Sequence, residues 1–121
     1  MRYLFAILLL SCLAPVLASA EEFARVSDEA AFLALMDGRE LRIGVVGLAI
    51  AVKADGSITG TAAGIGVTGT WAWQDGYFCR QMVWGDTEIP YNCQLVEAKG
   101  TTQTRFTVDQ GAGQSAEFNL R

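Results

Sequence analysis

The arrangement in this chain that most resembles a chemical site is Gly64-Ile65-Gly66-Val67-Thr68-Gly69, which matches G-x-G-x-x-G letter for letter. A dinucleotide loop must follow a strand and open a helix, because the helix N-terminus holds the pyrophosphate. Here the next residues are Thr70-Trp71-Ala72-Trp73-Gln74-Asp75-Gly76, a strand running into a hairpin turn. The run therefore reads as a glycine-rich strand whose glycines serve bulges, sharp bends or close packing beneath the tryptophans. No cofactor is expected.

The catalytic inventory is short. The chain contains no histidine, which excludes ordinary Ser-His and Cys-His nucleophilic sites and removes a usual zinc ligand. Asp75, Asp86 and Glu88 remain as acid and base candidates, although each sits at a turn, where solvated acids are expected. The protein is expected not to be an enzyme and to hold no metal.

Arg80 stands out because strand alternation places it on one face with Phe78, Met82 and Trp84. A half-buried guanidinium needs an acidic partner or a ligand carboxylate. The readings are a salt bridge to Asp86 or Glu88, cation–π stacking on Trp84, or a ligand anchor. Trp71, Trp73, Tyr77, Trp84 and Tyr91 form an aromatic region that is either core or recognition surface. The candidate ligand-binding residues are Trp71, Trp73, Tyr77, Arg80 and Trp84.

The cysteines bear on the compartment. Met1 and Arg2 precede an apolar run from Tyr3 to Leu17 that ends in Ala18-Ser19-Ala20 before Glu21 and Glu22, the order of a secretory signal peptide. Pro15 interrupts the run, which is short for a membrane span, and cleavage is expected after Ala20. An uncleaved anchor, or lipoprotein processing at Leu9-Leu10-Ser11-Cys12, is the alternative. Cleavage removes Cys12 and leaves Cys79 and Cys93 as a pair, which in an oxidising compartment forms one disulfide. That bridge closes a loop of about 15 residues and contributes about 3 kcal/mol in the chain-entropy model. Cleavage also removes Arg2 and no acid, shifting the net charge from −4 to −5. Nucleic acid and anionic membranes are not expected partners. The expected location is periplasmic or secreted, with no membrane span in the mature chain.

Asp75-Gly76-Tyr77-Phe78-Cys79-Arg80, Ile89-Pro90-Tyr91-Asn92-Cys93-Gln94 and the run Arg105 to Asp109 resemble a family of small secreted alphaproteobacterial proteins. Its members often carry the label dihydrodipicolinate reductase. That activity implies a nicotinamide cofactor on a Rossmann domain and a histidine-containing catalytic motif, none of which these residues supply. Gly69-x-Trp71 followed by a disulfide is also similar to lipocalins and to small periplasmic metalloprotease inhibitors, a resemblance that implies a β-barrel.

These residues must be positioned by a mainly β chain with one N-terminal helix. Ser27 is read as the helix N-cap, Asp28 and Glu29 suit the first turn, Phe32, Leu35 and Met36 form the apolar stripe, and Gly38 is the stop. Strands are expected at residues 40–46, 48–53, 57–62, 66–74, 77–84, 92–98, 103–109 and 115–120. Asp55-Gly56 and Asp75-Gly76 are read as two-residue hairpin turns. Connections this short favour an antiparallel meander, closed as a small barrel or folded as a sandwich of 7–8 strands. The expected whole is a signal peptide at 1–20 and one disulfide-stapled β domain at 21–121. Its expected role is to bind a small apolar molecule or an envelope protein, with a structural envelope module as the alternative. Intact mass before and after reductive alkylation is expected to show both mature-chain cysteines released only by reductant; two freely alkylated thiols would refute the pairing.

Overall fold

The computed structural model describes residues 22–121, so the expected signal peptide and Cys12 lie outside the described residues. Nine strands and one α-helix follow in the order β1 (Ala24–Arg25), α1 (Glu29–Met36), β2 (Leu41–Ile43), β3 (Leu48–Val52), β4 (Ser57–Ala62), β5 (Ile65–Gln74), β6 (Tyr77–Trp84), β7 (Thr87–Lys99), β8 (Gln103–Thr107) and β9 (Ser115–Leu120). From β2 to β9 every strand pairs antiparallel with the next, and β2 pairs with β9 to close the ring. The result is an eight-stranded meander barrel and not a sandwich; β1 adds beside β7. Closure satisfies strand edges that a sheet of this length would otherwise leave open.

The turns follow local chemistry. Asp75 (φ 54°) and Gly76 (φ 85°) form the expected left-handed pair between β5 and β6. Asp55-Gly56 differs: Gly56 is left-handed at φ 90° but Asp55 is not, and Gly56 N–H donates to Lys53 O at 3.1 Å. This is a three-residue loop, with the Asp55 carboxylate accepting from Ser57 N–H (2.9 Å) and Oγ–H (2.6 Å). Those two bonds hold the Asp55 carboxyl below its ordinary pKa. Ala63 and Gly64 supply the β4–β5 turn, so the G-x-G-x-x-G run spans a turn and then enters a strand, with no helix after it.

Several boundaries move from the sequence expectation. Gly44–Val46 is a short 3₁₀ turn that cuts the first barrel strand at Ile43, and β8 stops at Thr107. The largest change is β7, which begins at Thr87 and runs through Pro90. Pro90 survives inside a strand because β7 is bulged there: Gln81 alone on β6 faces Pro90 and Tyr91, between the pairs Arg80↔Asn92 and Met82↔Ile89. A bulge spares proline the ladder hydrogen bond it cannot donate.

Helix α1 closes one end of the barrel. Its N-cap is Asp28, one residue later than expected, whose carboxylate accepts from Ala31 N–H at 2.8 Å. Gly38, at φ +64°, follows the C-cap as expected. Phe32 is 0% exposed and descends into the lumen against Trp71, Trp73, Phe78 and Phe106, with ring centroids 5.3, 5.0, 5.3 and 6.5 Å away. Aromatic pairs in this range each add about 0.5–1.5 kcal/mol beyond their buried area. The β3–β4, β5–β6 and β7–β8 connections share this closed end, by the direction of the meander.

Cys79 and Cys93 are directly opposed across β6 and β7 and form the expected disulfide, on the face turned away from the lumen by alternation with Phe78 and Arg80. No helix of the described residues is long and apolar enough to cross a membrane. Phe32→Ala is expected to lower the unfolding free energy by about 3–5 kcal/mol, measured by urea denaturation, because no neighbouring side chain can fill the vacated plug.

Candidate functional site

The inward side chains are not evenly sized along the barrel axis. Toward α1 they are Leu41, Val52, Ile58, Trp71, Phe78 and Val96, all buried. Toward the other end, the inward positions of β4, β5 and β9 are taken by Gly60, Ala62, Gly69 and Ala116, placed by register opposite other lumen residues. Gly69 lets Met82 lie close above β5: a Cβ there would overlap the Gln81 carbonyl and sit 2.8 Å from Met82 Cγ. A cavity of about 300 Å³ lies inside the barrel, lined by Leu41, Val52, Ile58 and Phe78 from the first set and by Ala116 from the second. Its apolar walls include Ile50, Ile58, Met82, Phe106 and Phe118.

The cavity meets solvent near Gln114, Ser115 and Ala116, which line it and are exposed. This is where β7 and β8 part. Their pairing stops at Leu95↔Thr107, while β7 continues toward Thr87 paired with β6 alone. The β8–β9 connection bridges the gap. Asp109 N–H donates to Asn92 Oδ1 at 3.0 Å, and Asn92 Nδ2 donates to Asp109 Oδ1 at 2.7 Å. Asp109, Gln110 and Gly111 are all left-handed, at φ 55°, 55° and 98°. Two of the three carry side chains in a region that disfavours them, so the paired bonds to Asn92 help hold the bend.

Arg80 lines the cavity and is 8% exposed. Its Nη1–H donates to Pro90 O at 2.6 Å, a carbonyl of the adjacent bulge on β7. Neither structural partner read from the sequence is present. The ion pairs among the described residues join Arg42 to Glu40 and Arg105 to Glu97 and Glu117, and the cation–π contacts involve Arg25, Lys99 and Arg105. Burial, with no acid to offset it, pushes the Arg80 guanidinium below its ordinary pKa. Pro90 O is the hydrogen-bond acceptor of the Arg80 guanidinium among the described residues, and Arg80 borders the cavity. Gln94, also buried and cavity-lining, is its diagonal neighbour on β7.

Of the other candidate ligand-binding residues, none lines this cavity. Trp71 and Trp73 pack on Phe32, and the Trp71 indole N–H donates to Lys53 O at 2.8 Å, fastening the closed end. Trp84 reaches beneath β5 to donate to Ala62 O at 2.9 Å, which covers part of the opposite end. Tyr77 stacks under Arg25, 5.0 Å from its ring centroid. Tyr91 is exposed. Asp75 lies at one end of β6, while Asp86 and Glu88 lie at the other, with Glu88 accepting from Gln81 Nε2 at 3.2 Å. These carboxylates do not converge.

Phe106, Phe118, Ala116 and Gln94 belong to the site although the sequence did not single them out. They adjoin Arg80's wall through the consecutive β6–β7, β7–β8 and β8–β9 pairings, and closure of β9 on β2 sets the apolar strands opposite. A second depression of about 370 Å³, between the end of α1 and β3, mixes Asp37, Glu40, Arg39 and Lys53 and carries both signs of charge. Among the described residues no three His, Cys, Asp or Glu side chains gather as a metal site. No family model, curated protein or solved structure matches the chain.

A desolvated cation without an ion partner works against folding, and replacing it with an apolar side chain of similar length is commonly neutral or stabilising. Arg80→Met is therefore expected to leave the unfolding free energy within about 1 kcal/mol of wild type, or to raise it. A loss above about 3 kcal/mol in urea denaturation would mark Arg80 as a structural residue.

Proposed function

We propose that this protein is a non-catalytic binding protein of an oxidising compartment outside the cytoplasm, carrying a small, mainly apolar molecule inside the barrel. The observation that carries the reading is the cavity of about 300 Å³, apolar on most of its wall and open beside the β8–β9 connection. That volume lies at the lower end of the range for small-molecule sites, and an eight-stranded barrel is the size that either fills with side chains or holds one small ligand. The disulfide suits an exported protein. The separation of Asp75 from Asp86 and Glu88 gives no support to carboxylate catalysis. Recognition of a protein partner through the tryptophans is less well supported, because Trp71 is buried and Trp73 and Trp84 pack against the core.

The test uses 1-octanol and naphthalene as uncharged probes, followed by NMR of the methyl groups. Saturable shifts are expected at Ile50, Ile58 and Met82, with dissociation constants between about 1 µM and 1 mM for ligands of this size. Ala116→Phe fills the cavity and is expected to abolish them. Absence of saturable shifts up to the solubility limit, or shifts confined to the outer face, would overturn the reading.

A further inference from the structure

The lumen reading leaves the ligand's chemistry open, and the cavity wall narrows it. A volume of about 300 Å³ accommodates about ten non-hydrogen atoms if each takes the ~30 Å³ share of a water molecule. The cavity has one cation, Arg80, and no acidic side chain on its lining. The guanidinium is held at one nitrogen by Pro90 O and borders the cavity, with four further N–H donors in its fork. A planar, bidentate acceptor fits that donor set.

Charge sets a further limit. A phosphomonoester would bring about two negative charges against one positive, leaving charge buried without compensation. A single carboxylate balances Arg80, and Gln94, its diagonal neighbour on the cavity wall, carries an amide N–H₂ donor for the same kind of group. Across the ring from β6 and β7 stand Leu41, Ile50 and Val52, with Ile58 next to them on β4, an apolar wall suited to a hydrocarbon tail.

Building on the lumen reading, we propose that the ligand is a medium-chain monocarboxylate of about eight carbons, its carboxylate on Arg80 and Gln94 and its tail against β2, β3 and β4.

The experiment compares octanoate, 1-octanol, octylamine and hexadecanoate by isothermal titration calorimetry on the disulfide-bonded protein and on Arg80→Met. In wild type, octanoate is expected to bind about 10–100-fold tighter than octanol, the advantage of a charge-assisted hydrogen bond. Octylamine is expected to bind weaker than octanol, and hexadecanoate not to be enclosed. Arg80→Met is expected to remove the preference for octanoate while retaining octanol. Equal binding of octanoate and octanol in wild type overturns the carboxylate proposal and leaves the lumen reading standing. So does a preference that survives Arg80→Met. Failure of every probe, octanol included, overturns both. If Arg80→Met does not fold, the wild-type ratio of octanoate to octanol decides alone.

Discussion

An eight-stranded ring has a lumen of fixed width, and the inward side chains must fill it or leave it empty. At one end this chain fills it with aromatic rings, and the barrel is still not closed until Phe32 enters from outside the sheet. Beyond those rings the inward side chains leave space, and a cavity remains beside Arg80 and Met82. The plug and the cavity are thus two outcomes of one lumen width.

The unfilled space also decides what a polar group in the lumen can do. Arg80 lies between Phe78 and Met82 on β6, and all three line the cavity. Against a filled wall its guanidinium would have needed an internal acid; here it borders the cavity. Pro90 contributes by default. Lacking an N–H, it resides in a bulge, and the carbonyl it presents there is the one that holds Arg80. A backbone irregularity in β7 therefore orients a side chain on β6.

Much of this was legible in the residues, and the illegible part has a common cause. The expected strands at 57–62, 77–84 and 115–120 coincide with β4, β6 and β9, and alternation grouped Arg80 with Phe78, Met82 and Trp84, because a period of two is a local property of a strand. Asp75-Gly76 announced its turn for the same local reason. Pro90 misled because a proline usually ends a ladder, and the bulge that rescues it depends on the partner strand. The tryptophans suggested a binding region because aromatic type does not reveal which half of a lumen a residue will occupy. Trp71 and Trp73 were claimed by Phe32, a residue some forty positions earlier in the chain. Gln94 joined the site through the register of the bulged β6–β7 pair, and Phe118 through the pairing of β9 with β8; neither register is encoded by a single segment.

The outer strap at the closed end has a consequence for orientation. Phe23 lies beneath Lys99 and Arg105, with β1 zipped to the last turns of β7, and Glu40 exchanges backbone hydrogen bonds with Arg121. Residues 23 and 121 therefore emerge at the same pole, with the cavity's mouth at the other. A tether attached at either of these points, whether to a surface or to another polypeptide, leaves the mouth facing outward like an uncapped cup. The route from solvent into the cavity then stays clear of anything joined at the opposite pole.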